Sequence, residues 1–106
     1  MNAAERLWRA YGRDDWRAAE AQMHEHVEVL WPVSGERLDR EEYLFRVREK
    51  LDGRRIDVLR EIRDGKHIAL EVIAGDGEAH RQRCGAFYDL HQGLIAVVVE
   101  YWTGEG

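Results

Sequence analysis

The stretch from Leu94 to Trp102 constrains this chain more than any other, because it is apolar on both faces that an extended strand would have. Successive strand side chains point to opposite sides of a sheet. One side holds Ile95, Val97, Val99 and Tyr101; the other holds Ala96, Val98, Glu100 and Trp102. A sheet with one wet face would carry polar residues on one of these sets. Both faces therefore call for cover, and in a chain of 106 residues the helices can cover only one. The expectation is a sheet packed on its own helices at one face and on a second copy at the other, a homodimer.

The segments ahead of that strand supply the helices. Asn2 followed by Glu5 three residues on is a capping-box pattern. Leu7, Trp8 and Tyr11 follow at helical spacing, and Gly12 stops the run. Asp14 or Asp15 caps a second helix carrying Trp16, Ala19 and Met23. The period then changes: Val27, Val29 and Trp31 alternate with Glu28 and Leu30, a strand ending at Pro32. Val33-Ser34-Gly35-Glu36 reads as a loop. A third helix starts near Asp39, with Glu42 three residues later, and buries Tyr43, Leu44, Val47 and Leu51 before Gly53. Strands are predicted over 56–63, 66–74, 80–90 and 94–102, with turns at Asp64-Gly65, Gly75-Asp76-Gly77 and Gln92-Gly93. Helices early and antiparallel strands late make the class α+β, in a single domain over residues 1–106.

Composition narrows the partners. The net charge is −5, from 16 Lys and Arg against 21 Asp and Glu, and no basic stripe is visible, which speaks against nucleic acid. The longest apolar run, Leu94 to Val99, is far short of the ~20 residues of a spanning helix, so no membrane is expected. The first 20 residues are amphipathic and charged, unlike a signal peptide. One cysteine, Cys84, leaves no internal disulfide and no Cys-based zinc site. These features suit a cytoplasmic protein, and no cofactor is called for.

In order and spacing, several segments together carry a resemblance. They are Trp8 with Asp15-Trp16, then Trp31-Pro32-Val33-Ser34-Gly35-Glu36, then Phe87 with Gly93-Leu94-Ile95, and the closing Glu100-Tyr101-Trp102. Over nearly its whole length the chain resembles the NTF2-like (cystatin-like) superfamily, specifically bacterial SnoaL-like proteins. The resemblance implies a cone: a strongly curved antiparallel sheet wrapped around three helices, enclosing a pocket and often dimerising through the sheet. Such proteins include isomerases, cyclases, hydrolases, dehydratases and binding proteins without catalysis, so the fold does not name the activity. Where ketosteroid isomerases of this superfamily carry a catalytic aspartate before the matching proline, this chain has Trp31. Their oxyanion-hole acid aligns, from Phe87, with Gly85, and their helix-1 tyrosine with Leu7. The resemblance thus argues against ketosteroid isomerase chemistry.

By the same resemblance Trp31 points into the cone, which brings Val98, Glu100 and Trp102 inward by alternation. The alignment adds Arg83, Gly85 and Phe87, and the helices add Tyr11 and Met23. The expected ligand site is therefore Tyr11, Met23, Trp31, Phe87, Val98 and Trp102, with Glu100 and Arg83 as its charged groups. An aromatic cavity of this kind suits a small, mostly apolar molecule. Glu100 is the candidate acid/base and Arg83 its oxyanion partner; alternatively the two form a buried ion pair that only holds the sheet. Three readings stay open: a binding module, an isomerase, cyclase or hydrolase, and a structural dimer whose cone is filled by its own side chains.

Other residues read more plainly. His24 and His26 with Glu28 could share a strand face, but at a surface junction, and no metal is expected. His67, His80 and His91 lie near turns and are solvated. Cys84 is expected as a buried, inert thiol facing away from the pocket, and Glu71 as outward-facing. Glu36 either reaches the ligand or holds its own turn. Trp8 and Trp16 pack helices on the sheet.

Overall fold

The computed structural model describes residues 1–51, 53–75 and 81–104. Three helices and six strands run in the order α1 (Ala3–Gly12), α2 (Trp16–Ala21), β1 (Met23–Trp31), β2 (Glu36–Leu38), α3 (Arg40–Leu51), β3 (Arg55–Asp64), β4 (His67–Gly75), β5 (Arg81–His91) and β6 (Leu94–Gly104). The strands form one sheet ordered β2-β1-β6-β5-β4-β3. All pairings are antiparallel except β1 with β6, which is parallel, so the sheet is mixed where the sequence reading had it antiparallel. The predicted turn residues Asp76 and Gly77, and His80, lie outside the described residues. No helix among those described is long and apolar enough to cross a membrane.

The helix caps form as the side chains dictate. The Asn2 side chain accepts from the Glu5 amide while Glu5 reaches back to the Asn2 N–H, closing the capping box. Asp15 accepts from the Ala18 amide at the start of α2, and Asp39 from the Glu42 amide before α3. Each satisfies an amide that the helix leaves without a partner. Met23 does not extend α2; it opens β1, buried opposite Ile95. The β5–β6 turn places Gln92 at φ 53° and Gly93 at φ 81°, the left-handed pair that a tight hairpin requires.

The side of the sheet that each residue faces follows from the register. Three rows run across β4, β5 and β6: Val72–Cys84–Trp102, Leu70–Ala86–Glu100 and Ile68–Tyr88–Val98. These residues face the helices, and all are buried except Trp102, which is half-buried. Ala96 is left unpaired between Ile95 (opposite Leu90) and Val97 (opposite Asp89). Such a bulge flips the alternation, so Ile95 and Val98 both point inward and are fully buried. The strict alternation read from the sequence had put Ile95 on the outer side.

Three residues expected on the inner face point the other way. On β5 the inward set is Cys84, Ala86 and Tyr88, so Arg83, Gly85 and Phe87 lie on the outer face. Arg83 is solvent-exposed and 3.8 Å from Glu71, and Phe87 is half-exposed, edge-on to Tyr101. The physical reason is that β5 is apolar at both parities, so its own pattern does not select a face; the buried partners on β4 and β6 select it. Cys84 is buried, but it faces the helices rather than away from them. Glu71 faces outward, paired with Arg60 at 3.2 Å.

Candidate functional site

The centre of the inner face is a buried carboxylate. Glu100 is 1% exposed. The indole N–H groups of Trp31 and Trp102 both donate to its Oε1, at 3.0 and 2.9 Å, and the Tyr43 hydroxyl donates to Oε2 at 2.5 Å. Ala86 opposite it on β5 is the small residue that leaves room for this cluster. Burial pushes the Glu100 carboxyl above its usual range, and the three donors pull it part of the way back. Arg83 lies outside the sheet, so the ion pair between Glu100 and Arg83 does not form. The partners of Glu100 are neutral donors, and Tyr43 was not among the residues that the sequence singled out for the site.

Tyr43, Arg46, Val47 and Lys50 share one side of α3 by their spacing of three and four residues. Tyr43 and Val47 are buried beneath it. Lys50 follows at the last turn, with its ammonium 5.3 Å from the ring centroids of both Trp31 and Trp102. Arg46 lies over Trp31 at 5.1 Å. Glu36 binds Arg46 through both carboxylate oxygens, at 2.7 and 3.3 Å. That contact, with help from Ser34, holds the Glu36 carboxyl below its usual range. Glu36 thus ties the 33–36 turn to α3. Among the described residues Lys50 has no carboxylate within 4.0 Å.

Tyr11 and Trp8 extend the aromatic cluster toward α1. The Tyr11 hydroxyl is buried without a hydrogen-bond partner. Burial, then the nearby Glu100 charge, raises its pKa well above the usual value. Trp8 donates to the Tyr88 hydroxyl at 2.6 Å and packs edge-on against Tyr11 at 5.0 Å.

Two cavities lie to either side of the end of α1, and a further one of about 520 Å³ lies against β3, beside Arg55, Leu59, Ile73 and Arg81. One cavity of about 330 Å³ sits between α1 and the β3–β4 hairpin, with Trp8, Ile56, Val58 and Leu70 as apolar walls and Glu5, Arg9 and Glu61 as charged groups. A second of about 330 Å³ is more polar and is lined by Tyr11, Asp14, Trp16, Arg48 and Arg54 among others. Both fall within the range of roughly 300–1,000 Å³ typical of ligand sites. Neither is lined by Glu100. Of the expected ligand residues, Tyr11 alone borders one of these cavities. Met23, Trp31 and Val98 are buried in the core, Trp102 is half-buried beside Lys50, and Phe87 is outside. Trp8, read from the sequence as packing only, is a wall of the apolar cavity. The missed signal was Ile56 and Val58, two apolar residues on the inward side of a strand whose other residues are mostly charged.

His24 and His91 lie side by side, their ring centroids 5.7 Å apart. His24 Nε2 lies 2.7 Å from the His91 carbonyl, and His67 Nδ1 lies 2.6 Å from Asp89. Among the described residues no three metal-ligating side chains cluster.

No protein-family model and no curated protein sequence matches this chain at a significant level. Solved structures do. A candidate ketosteroid isomerase from Kribbella flavida superposes with a TM-score of 0.84 at 24% identity, over 95% of this chain and 75% of that one. An NTF2-like protein of unknown function from Burkholderia xenovorans gives a TM-score of 0.83 at 16% identity, over 95% and 80%. A candidate polyketide cyclase from Streptomyces antibioticus gives a TM-score of 0.80 at 12% identity, over 94% and 88%. At these identities the likeness is one of fold. The curved six-stranded sheet closing on three helices is therefore the NTF2-like cone, as the Trp31-Pro32 and Glu100-Tyr101-Trp102 segments implied.

Proposed function

We propose that this chain binds a small, mostly apolar molecule in the cavity between α1 and the β3–β4 hairpin, and that it does so as a homodimer joined through the outer sheet face. The observation that carries the reading is the cavity itself, with its apolar walls and a few charged groups to orient a ligand. The diversity of the structural neighbours agrees with a pocket-bearing scaffold and does not select a reaction. Glu100 reads best as a structural group: both of its oxygens accept hydrogen bonds and it borders neither cavity. On the outer face, Leu30, Val99 and Phe87 form one cross-strand row with Tyr101 beside it. Phe87 and Tyr101 are 50% and 43% exposed, which favours a second copy as the cover.

Titration with an uncharged fluorescent apolar probe tests the ligand site. The parent should bind saturably, and Val58→Phe, which fills the cavity from a half-exposed position, should weaken binding several-fold. Unchanged probe affinity in both Val58→Phe and Ile56→Ala would place the site elsewhere.

A further inference from the structure

The apolar cavity leaves one feature on the far side of the aromatic cluster unused. Lys50 holds its ammonium at equal distance, 5.3 Å, from the ring centroids of Trp31 and Trp102. Both indoles direct their N–H groups at the same oxygen of Glu100. Donation to a carboxylate polarises an aromatic ring toward greater electron density, which strengthens its attraction for a cation. Two indoles backed by one buried carboxylate are therefore a receptor for positive charge.

The present occupant is held by the two rings and by the Glu100 charge behind them. Among the described residues no direct ion pair and no hydrogen bond fixes the Lys50 ammonium, in contrast with Arg46, which Glu36 clamps through two contacts. Lys50 sits in the last turn of α3, is half-buried, and has a flexible stem that can swing into solvent. Beyond its Cβ the side chain is chemically an n-propylammonium ion.

We propose that Trp31 and Trp102, backed by Glu100, form a binding site for a small alkylammonium cation, primary or N-methylated, which Lys50 fills in the free protein and leaves when the ligand enters. The fold thus carries its own competitor. An external ammonium binds with its intrinsic affinity reduced by the fraction of time that Lys50 is away. The site is separate from the α1–β3 cavity and does not depend on that reading.

The test is titration of Lys50→Ala with n-propylammonium and with tetramethylammonium at constant ionic strength, read by tryptophan emission and by melting temperature. Tert-butanol serves as the neutral counterpart, and Lys50→Ser as a second variant should Lys50→Ala fold poorly. Saturable binding is expected in the variants, about tenfold tighter than in the parent if Lys50 occupies the site about nine-tenths of the time. Trp102→Ala in the Lys50→Ala background should abolish it, and Val58→Phe in that background should leave it unchanged. Three results would each overturn the proposal. They are no saturable response to either cation in both Lys50 variants, equal affinity in parent and variants, and an equal response to tert-butanol. Loss of probe binding at the α1–β3 cavity with ammonium binding intact would count against the function proposed above and not against this site.

Discussion

Tyr43 on α3 and Glu100 on β6, 57 residues apart in the chain, meet in a buried 2.5 Å hydrogen bond, the tyrosine hydroxyl donating. With the two indole donors on the other oxygen, the pair joins helix to sheet. The stability consequences depend on which atoms a substitution keeps. Glu100→Gln retains a carbonyl oxygen for the indoles, but its amide nitrogen cannot accept from the Tyr43 hydroxyl, so one buried donor loses its acceptor. A loss of about 1–2 kcal/mol is expected. Glu100→Ala strands buried donors at ~1–3 kcal/mol each and should cost about 3–5 kcal/mol. Chemical denaturation of the two variants checks this; equal losses would mean that the hydrogen bonds contribute nothing.

The same carboxyl gives a pH signature. Its pKa is raised in the folded state, chiefly by burial, above an unfolded value near the ordinary ~4.3. Between the two values the folded state binds more protons, so stability falls with rising pH. The contribution is fully present below the ordinary glutamate value and is lost as pH climbs through the raised one. The stability difference between parent and Glu100→Gln should therefore shift against the parent over that window. A flat difference from acid to neutral pH would contradict the raised value.

Cys84 should be inert toward thiol reagents in the folded protein. It is 1% exposed, and burial, followed by the Glu100 charge, pushes its pKa far above the usual thiol range. The thiolate is the reactive form. Labelling with a disulfide reagent should proceed only as fast as the protein opens and should accelerate in denaturant. Rapid labelling under native conditions would show that β5 is accessible from the inner side.

Sedimentation of the parent at micromolar concentration should give a dimer, and Val99→Arg a monomer. Val99 lies between Leu30 and Phe87 in the outer row, so the variant puts a charge from each copy into an apolar contact. A monomeric parent would remove the second copy as the cover of that face.

Local chemistry, read from the sequence alone, sufficed for the elements and much of their orientation. The caps at Asn2 and Asp15 and the hairpin at Gln92-Gly93 depend on neighbouring residues only, so they were legible. The inward set Val98, Glu100 and Trp102 was legible too, because strand alternation holds between consecutive residues. Only the tertiary structure decided which way β5 faces, since Cys84-Ala86-Tyr88 and Arg83-Gly85-Phe87 both contain apolar residues and the choice is made by β4 and β6. It also decided that Ala96 bulges, which moved Ile95 inward. The partners of Glu100 belong to the same class: Tyr43 is remote in sequence, and nothing local marks it as a donor. Nothing in the sequence marked Lys50, because a cation–π contact leaves no pattern in the residues around it. The cavity beside Trp8 is space left between α1 and the β3–β4 hairpin. Such a space is a property of how elements pack, and no single segment encodes it.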